Sequence, residues 1–597
     1  MADSTGYINT QFARPEVYSL TIGSVLTVDG TVNIPEGKYL KFNPGGKITG
    51  AGTINGGIID ASKWQHIFDI TLTINPENCI NGYFSGRWFG AIPSIQDNQP
   101  QLQKAIDTCI KSELPKLNIP RGVYNISKGL LIYKGANLQC QLNMYGDDKS
   151  RGPDLAATII NCTHNDNFGI GIYIGKSCVI KNISICGVNK LNYSLSQAHS
   201  LTATYLINGS RDNRYSPYAG ICLDPFHANT PIEDRYPGFE QYYDTATTGG
   251  GSTSCIIKNV GINGFTVARV LSPNGTTQNN ESHLFAGCWI GNCRESYVSC
   301  NSQERNVEIR DECIWNSVQT CYATNRYGAM YGDPPVLNNI NIAGNIFELI
   351  DWPLTGYSPL FTASNIHAES IYRIGTSIGH AKISNSKFHL QDPNQYGERM
   401  QEWIYYGVGT FDTCQIYHYN DKPHYPVRFK CFRDDSGTVS FSFSNCAISL
   451  LSCDGKFSNY FIFYNCWFYM IPGSTGPFHQ TVSGQNYNKF LLNTGDTIVF
   501  GENQIHIFTK QMVENSIPKT VQLVINGIEA ECEPLGYGIG SPVYNETGQI
   551  GRIKFEDEQK TVIEQLVEGV EAGSQQVHTI ELSYFDESIK PQIYLST

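Results

Sequence analysis

The sequence predicts an all-β protein built as a right-handed parallel β-helix, and three observations support this prediction. First, the phrase SCVIKNISI at residues 177–185 is nearly repeated as SCIIKNVGI at residues 254–262. Second, weaker copies continue along the chain, and the last two begin 20 residues apart, at positions 441 and 461. Third, each copy is an alternating apolar strand, a corner of Asn, Gly or Asp, and a second alternating strand.

Each part of this repeat has a physical reason. Alternation points one set of side chains inward, and Asn or Gly at the corner tolerates the left-handed backbone of a tight bend. A repeat of about 20 to 25 residues cannot bury its apolar face alone, so successive coils must stack. Stacking predicts a ladder of Asn at the corners and ladders of Cys, Ile, Val and Phe inside. A propeller would repeat at about 40 to 45 residues and a β-sandwich would need regularly spaced hairpin turns, so the period favours the β-helix.

The changes of rhythm along the chain predict three regions. Residues 1–83 form a β-rich N-terminal region for attachment or capping, and Gly-punctuated strands within residues 21–60 resemble narrow β-helical turns. Residues 84–478 form the β-helix, which a long loop interrupts at residues 188–253. Residues 479–597 form a β-rich C-terminal module for trimerisation or receptor contact.

A short helix is predicted near residues 98–110, with Asp97 or Asn98 as its N-cap. Its apolar residues recur at helical spacing; they are Leu102, Ala105, Ile106, Cys109 and Ile110. A helix at the end of a β-helix covers strand edges that would otherwise pair with other chains.

Composition excludes several classes of function. The chain has a net charge of −12 and no basic block, so no nucleic-acid partner is predicted. No apolar window is long enough to insert into a membrane. The first residues, MADSTG, lack the basic and apolar segments of a secretory signal peptide.

The 19 cysteines lack CxxC spacing. They are interpreted as small buried residues of a protein folded under reducing conditions, and no metal or cofactor is predicted.

Two motifs flank the predicted helix: WFGA at residues 88–91 and IPRGVY at residues 119–124. With the AID of the helix between them, they resemble the entry to the pectate-lyase-like β-helices of bacteriophage tailspikes and related polysaccharide-degrading proteins. The resemblance covers residues 84–475. It departs from the usual Asp-Gly-x-x-Asp-Asp pattern at residues 95–100, which read IQDNQP. It implies a homotrimeric virion protein that contacts other virion proteins through a terminal region.

Carboxylates near the long loop are candidates for catalysis. Stacked strands lie about 4.7 to 4.9 Å apart, so carboxylates one or two coils apart match the separations used by retaining and inverting glycosidases. The first candidates are Asp224, Glu281 and Glu304, followed by Asp212 and Asp234. They would act as general acid and general base. The alternative is that they pair with nearby arginines or accept hydrogen bonds in turns.

Substrate-binding candidates follow from charge and aromatic surface. A lyase mechanism would use a base such as Arg305 or His283. Sugar rings stack on exposed aromatic side chains, and the aromatic candidates are Tyr236, Tyr243, Trp403, Tyr406 and Tyr419. The alternative for the aromatic residues is that they pack loops against the coil.

Two classes of function therefore stay open. In the first, the chain is a phage tailspike or fibre that recognises a bacterial surface polysaccharide and, if it is an enzyme, cleaves it as a glycoside hydrolase or lyase. In the second, it is a non-enzymatic tail fibre, head fibre or capsid-decorating protein that uses the β-helix as a rigid spacer and adhesin. Both place it in a virion that is assembled in the host cytoplasm and acts at the bacterial surface. A cellular polysaccharide hydrolase is third, because such a protein would need a signal peptide.

Overall fold

The computed structural model of the chain resolves its architecture over a defined set of residues. The described residues are 2–93, 95–112, 115–132, 142–149, 157–164, 170–174, 177–188, 219–223, 254–271, 279–299, 303–315, 320–323, 335–344, 346–351, 360–376, 380–390, 402–418, 427–431, 441–449, 451–453, 461–464, 467–469, 497–500, 507–508, 520–526, 539–540, 542–544, 550–556, 562–568, 575–581 and 592–593. The chain divides into two compact units, residues 1–344 and residues 345–597.

The first unit is mostly β, with two α-helices and one 3-10 helix among its described residues. The helices are α1 (Thr5–Phe12), η1 (Gly86–Phe89) and α2 (Gln99–Lys111). The strands are β1 (Ser19–Ile22), β2 (Val25–Thr27), β3 (Thr31–Phe42), β4 (Lys47–Thr49), β5 (Thr53–Asp60), β6 (Thr73–Asn75), β7 (Asn78–Cys79), β8 (Phe84–Ser85), β9 (Lys116–Ile119), β10 (Gly122–Ile126), β11 (Leu130–Ile132), β12 (Leu142–Gly146), β13 (Thr158–Cys162), β14 (Ile170–Ile174), β15 (Cys178–Lys181), β16 (Ser184–Cys186), β17 (Ala219–Leu223), β18 (Ile256–Lys258), β19 (Gly261–Asn263), β20 (Val267–Leu271), β21 (Asn279–Glu281), β22 (Leu284–Ala286), β23 (Trp289–Gly291), β24 (Glu295–Ser299), β25 (Gln303–Arg305), β26 (Glu308–Trp315), β27 (Thr320–Ala323) and β28 (Val336–Ala343).

The N-terminal strands already stack in parallel. β1, β3, β5 and β6 form one sheet, and Thr31, Thr53 and Thr73 lie in register across it. Gly56 has a φ of 72°, and a Cβ there would lie 2.3 Å from the carbonyl oxygen of Ile34, so only glycine fits this bend. The stacked strand–turn–strand units predicted for residues 21–60 are confirmed.

From β9 onward the chain builds three parallel ladders and visits them in a fixed rotation. Ladder A is β9, β12, β15, β18, β22 and the first halves of β26 and β28. Ladder B is β10, β13, β16, β19, β23 and the second halves of β26 and β28. Ladder C is β11, β14, β17, β20, β24 and β27. Because each strand pairs with its counterpart one circuit later, local alternation becomes long-range stacking of equivalent positions.

The core lies along these ladders. One position of ladder B holds isoleucine in six successive strands, and none of the six side chains is exposed. They are Ile160, Ile185, Ile262, Ile290, Ile314 and Ile342. The 13 cysteines whose burial the structure describes are buried or partly buried, as expected for small interior residues.

The corner between ladders A and B is left-handed in successive circuits. Asn182, Asn259, Asp311 and Asn339 have φ values of 56°, 55°, 55° and 56°, and Gly287 has 64°. Asn259 Nδ2 donates to Asn182 Oδ1 at 2.7 Å, and Asn339 Nδ2 donates to Asp311 Oδ1 at 2.7 Å. The predicted Asn ladder is therefore confirmed, and it joins neighbouring circuits by side-chain hydrogen bonds.

The predicted helix is α2, and it covers a strand edge as expected. Gln103 Nε2 donates to the Leu131 carbonyl at 2.9 Å, and the Leu131 N–H donates to Gln103 Oε1 at 2.8 Å. These bonds satisfy the backbone N–H and carbonyl of Leu131 in β11, the first strand of ladder C. Asn98 is the N-cap by position, whereas Asp97 Oδ1 accepts the hydrogen bond from the Gln99 N–H at 2.9 Å.

The second unit is also mostly β in its described residues. Its strands are β29 (Ile346–Asp351), β30 (Leu360–Thr376), β31 (His380–Ser384), β32 (Lys387–Leu390), β33 (Glu402–Asp412), β34 (Gln415–His418), β35 (Val427–Cys431), β36 (Phe441–Ser444), β37 (Ala447–Ser449), β38 (Leu451–Cys453), β39 (Phe461–Tyr464), β40 (Trp467–Tyr469), β41 (Thr497–Phe500), β42 (Ile507–Phe508), β43 (Thr520–Asn526), β44 (Ile539–Gly540), β45 (Pro542–Tyr544), β46 (Ile550–Glu556), β47 (Val562–Glu568), β48 (Gln575–Glu581) and β49 (Gln592–Ile593). β31, β33, β36 and β39 pair in parallel, and the rings of Phe411 and Phe443 stack at 4.8 Å. β43 and β48, and β46 and β47, pair in antiparallel fashion.

In the part of the chain that the structure describes, no helix is long and apolar enough to cross a membrane.

Candidate functional site

A small two-stranded sheet stands outside the three ladders and carries several predicted site residues. β21 and β25 pair in parallel, which places Glu281 beside Arg305 and Asn280 beside Glu304. Residues Ser282 and Asn306 follow these strands with left-handed φ values of 61° and 53°. The sequence thus turns at equivalent positions in two successive circuits, just before the chain enters ladder A.

Backbone hydrogen bonds hold this sheet to the circuits around it. The Ser254 N–H donates to the Glu281 carbonyl at 3.0 Å, and the Ser282 N–H donates to the Arg305 carbonyl at 3.0 Å. Leu284, the first residue of β22, donates its N–H to the Cys255 carbonyl at 2.9 Å. The strand β21 is therefore tied to the preceding circuit through Ser254, and the Ser282 bond continues the pairing of β21 with β25 up to the start of ladder A.

Glu281 and Arg305 lie on the same side of this sheet, because paired residues of parallel strands share a face. Glu281 is half-buried and Arg305 is exposed. Among the described residues, neither charged group forms an ion pair with the other or with a third group. The alternative of an ion pair with an arginine is therefore not seen at Glu281 within the described residues, and there one carboxylate and one guanidinium lie side by side without an ionic partner.

His283 lies on the other side of the chain, in the interior. Its side chain is 1% exposed, and its Nδ1 accepts the Cys255 N–H at 3.3 Å. The Cys178 thiol, hydrogen-bonded to Cys255, lowers the pKa of Cys255 to about 5; burial opposes this shift and His283 adds to it. Two residues after Glu281 the chain has already turned inward, so the imidazole is separated from the solvent face that carries Glu281 and Arg305.

The remaining predicted site residues are placed only in part. Asp212, Asp224, Asp234, Tyr236, Tyr243 and Tyr419 lie outside the described residues. Glu304 lies in β25, and Trp403 and Tyr406 lie in β33. The catalytic and substrate-binding roles assigned to these residues stay predictions.

Two groups of residues that the sequence did not indicate stand out. Arg269 and Glu312 form an ion pair with both side chains fully buried; its only sequence signal is one Arg in the apolar run VARVL at residues 267–271. Near the N-terminal sheet, Lys63, Arg87 and Arg121 gather around Trp64. No short motif links these residues, because different circuits contribute them.

No protein-family model matches the chain, and no curated protein matches it. Solved structures with similarity to it include glycan-degrading enzymes, a bacterial adhesin and a phage tailspike. The catalytic unit of a GH87 alpha-1,3-glucanase from Streptomyces thermodiastaticus has 12% identity and a TM-score of 0.31, over 64% of this chain and 62% of that one. The alignment thus spans less than two thirds of the glucanase structure.

Two further structures represent surface and virion proteins. The Streptococcus pneumoniae surface protein and adhesin PfbA has 8% identity and a TM-score of 0.32, over 65% of this chain and 98% of that one. An Acinetobacter phage tailspike has 10% identity and a TM-score of 0.24, over 85% of this chain and 82% of that one. These TM-scores are too low to carry an argument about the fold or function of this chain.

Proposed function

We propose that this chain is a phage virion spike or fibre that recognises a bacterial surface polysaccharide. In this proposal the three ladders close into a right-handed parallel β-helix, three chains form a homotrimer, and a terminal region contacts other virion proteins. The resemblance of the entry motifs supports the virion assignment. The repeated circuits support a stiff scaffold, because each is bonded to the next through the backbone and some are also bonded through corner side chains.

The observation that carries the recognition role is the sheet of β21 and β25. It presents the carboxylate of Glu281 and the guanidinium of Arg305 on one side of a repeated scaffold, and neither has an ion-pair partner among the described residues. Sugar hydroxyls both donate and accept hydrogen bonds, so an adjacent acceptor and donor fit them well. Hydrogen bonds to charged groups are about twice as strong as hydrogen bonds between neutral groups. Rigid strands hold both groups in place before binding, which lowers the entropy cost of binding.

Cleavage is the second candidate. Glu281 would act as one of two carboxylates, with its partner among Asp224, Glu304, Asp212 and Asp234. The register supports binding more directly than cleavage, because it sets Glu281 beside Arg305 and not beside another acid. A non-enzymatic fibre with the same scaffold is the alternative that this register favours.

A panel of purified bacterial surface polysaccharides tests these roles. Binding is measured by biolayer interferometry and cleavage by the release of reducing ends, for the unmodified chain and for Glu281→Gln and Arg305→Gln. We expect one polysaccharide to bind and each variant to weaken binding by roughly tenfold, as loss of one charged hydrogen bond predicts. The exposed residues Glu36 and Arg14 supply matched controls, Glu36→Gln and Arg14→Gln, which should bind normally.

Each outcome of this experiment has a meaning. Binding without reducing ends supports a non-cleaving adhesin. Release of sugar that Glu281→Gln abolishes supports the glycosidase. If no polysaccharide binds to the folded chain, the recognition role is wrong and a purely structural fibre remains.

A further inference from the structure

An exposed tryptophan near the N-terminal sheet is surrounded by three cations. The Trp64 side chain is at the tip of a turn and is 41% exposed. The Arg87 Cζ lies 4.9 Å, the Lys63 Nζ 5.0 Å and the Arg121 Cζ 5.7 Å from the centroid of its ring. On a chain with a net charge of −12, this is a local concentration of positive charge.

The turn that carries Trp64 is fixed by buried neighbours. Trp88 Nε1 donates to the Ser62 carbonyl at 2.9 Å, and Ser85 Oγ donates to the Lys63 carbonyl at 2.6 Å. Both Trp88 and Ser85 are fully buried. The indole is therefore held by the scaffold in a set position, which a ligand would not have to order.

The charges of the cluster are only partly balanced. Lys63 Nζ donates to Asp147 Oδ1 at 2.9 Å, and the Arg121 backbone N–H donates to Asp147 Oδ2 at 3.0 Å. Arg87 Nε donates to the Tyr124 hydroxyl at 3.2 Å. Among the described residues, neither Arg87 nor Arg121 has a carboxylate partner. Within this part of the chain, Asp147 thus offsets the lysine, and the described residues supply no anion to the two guanidinium groups.

This combination fits one ligand chemistry. A guanidinium group binds a carboxylate through two parallel hydrogen bonds, and the face of an aromatic ring packs against the C–H face of a pyranose. A neutral sugar would not require two arginines, and a free inorganic anion would not require the ring. A polyanionic nucleic acid is disfavoured by the net negative charge of the chain.

We propose that Trp64, Arg87 and Arg121 form a binding site for a carboxylate-bearing sugar residue, with Lys63 as a supporting cation. The inference rests on the proposed function for its ligand class, and it adds that the recognised polysaccharide is acidic. The site uses residues different from Glu281 and Arg305. Its two arginines lie just before the motif at residues 88–91 and within the motif at residues 119–124, which so far explained only the fold.

A matched pair of ligands tests the proposal. Cellotetraose and the corresponding tetrasaccharide of β-1,4-linked glucuronic acid share one backbone and differ in the carboxylate at C6. Isothermal titration calorimetry on the full chain should show that the acidic tetrasaccharide binds. The neutral tetrasaccharide should bind at least about tenfold more weakly. Added salt should weaken binding of the acidic tetrasaccharide, because its contact with the arginines is ionic.

Variants locate the site. Trp64→Ala and Arg121→Gln should each weaken binding of the acidic tetrasaccharide by roughly tenfold, whereas Trp64→Phe, which keeps an aromatic face, should lose less. The Arg121 side chain donates no hydrogen bond within the described residues, so Arg121→Gln should leave the fold intact. Arg310→Gln, at an arginine of ladder A with a 44% exposed side chain, is the control and should bind normally.

Several results would overturn the proposal. These are equal binding of the two tetrasaccharides, unchanged binding by both Trp64→Ala and Arg121→Gln, or displacement of the acidic ligand by an equal concentration of inorganic sulfate. The failure of this site and that of the proposed function are distinguishable. A polysaccharide that binds through Glu281 while the acidic tetrasaccharide does not bind removes only the Trp64 site. Tetrasaccharide binding at Trp64 with no binding from the polysaccharide panel removes only the virion-recognition proposal.

Discussion

Ladders B and C stack in the same parallel manner but bury different chemistry. Ladder B repeats isoleucine from Ile160 to Ile342. Ladder C begins with Leu130, Ile172 and Ile221, and its equivalent position then becomes Arg269. The next two residues at that position are tyrosines. Stacking therefore specifies where a side chain lies in the interior. Whether a charged or an apolar side chain is accommodated there depends on the residues that it contacts across the interior.

The buried charge inside ladder C is paired with a buried carboxylate and has further polar and aromatic neighbours. The Arg269 guanidinium contacts both oxygens of Glu312 at 2.7 Å, and its Nε donates to the Ser296 carbonyl at 3.1 Å. The Tyr322 hydroxyl donates to Glu312 at 3.3 Å, and the ring of Phe285 lies 4.8 Å from the guanidinium carbon. Burial raises the pKa of Glu312, and Arg269 opposes that rise. Ladder B needs no such partners, so the two ladders should respond differently to substitution.

The largest effect is expected from Glu312→Ala. It leaves the Arg269 guanidinium buried without its counter-ion, which should cost about 3 to 5 kcal/mol of the free energy of unfolding. Urea titration followed by far-UV circular dichroism measures this loss. The double variant Arg269→Met with Glu312→Leu removes both charges and should be neutral or more stable. A loss from the double variant as large as that from Glu312→Ala would show that the pair itself stabilises the ladder.

Ile290→Ala tests ladder B at its middle. The side chain is fully buried between Ile262 and Ile314, so the cavity should cost about 2 to 5 kcal/mol, and Ile290→Val only about 0.5 to 1.5 kcal/mol. The same titration measures both variants. Ile80, whose side chain is 53% exposed, supplies the control Ile80→Ala, which should change stability little. Equal losses at positions 80 and 290 would contradict a core along ladder B.

The two ladders also differ in how far the sequence predicts them. Ladder B and its corner were predictable because the phrase around Asn182 returns around Asn259 with apolar residues at the same positions. Ladder C lies outside that phrase, and the partner of Arg269 is 43 residues away along the chain. No local pattern joins such a pair, so its position follows only from the stacking of circuits.

The candidate sites show the same limit. Spacing along the repeat suggested carboxylates at equivalent positions of successive circuits, whereas the register sets Glu281 beside Arg305 and Glu304 beside Asn280. Spacing did not reveal that Ser282 turns the chain and sends His283 inward. The Trp64 cluster escaped prediction because a turn, η1 and the loop before β10 each contribute one part. Residues on separate circuits become neighbours only when the circuits stack.

Asn259→Ala tests the corner that leads from ladder A into ladder B. Alanine at a φ of 55° should cost about 1 to 2 kcal/mol in backbone strain. Loss of the hydrogen bond from the Asn259 side-chain amide to Asn182 should cost about 1 kcal/mol more. Asn259→Gly also loses this hydrogen bond, but glycine adopts the left-handed backbone without strain. It should therefore be the milder change. Thermal unfolding measures the order of the two variants. If glycine is as damaging as alanine, the side-chain ladder and not the left-handed backbone sets the corner.

The smallest effect is expected at Asp97, where α2 begins to cover ladder C. Asp97 Oδ2 accepts the Ser127 hydroxyl at 2.6 Å, in addition to the bond from Gln99, so Asp97→Ala should cost about 1 kcal/mol at neutral pH. Burial raises the pKa of this carboxyl, but hydrogen bonds from Ser127 and Gln99 outweigh it, and the pKa lies below its usual 3.8.

Because the folded-state pKa of Asp97 is lowered, its stabilising effect is complete above the unfolded-state pKa and is lost as the pH falls through the folded-state value. The difference in urea midpoint between the unmodified chain and Asp97→Ala should therefore shrink in strong acid. Asp97→Asn keeps an oxygen acceptor for the cap and should differ from the unmodified chain by less at neutral pH. A difference for Asp97→Ala that stays constant from neutral pH to strong acid would mean that the carboxylate charge does not contribute to the cap.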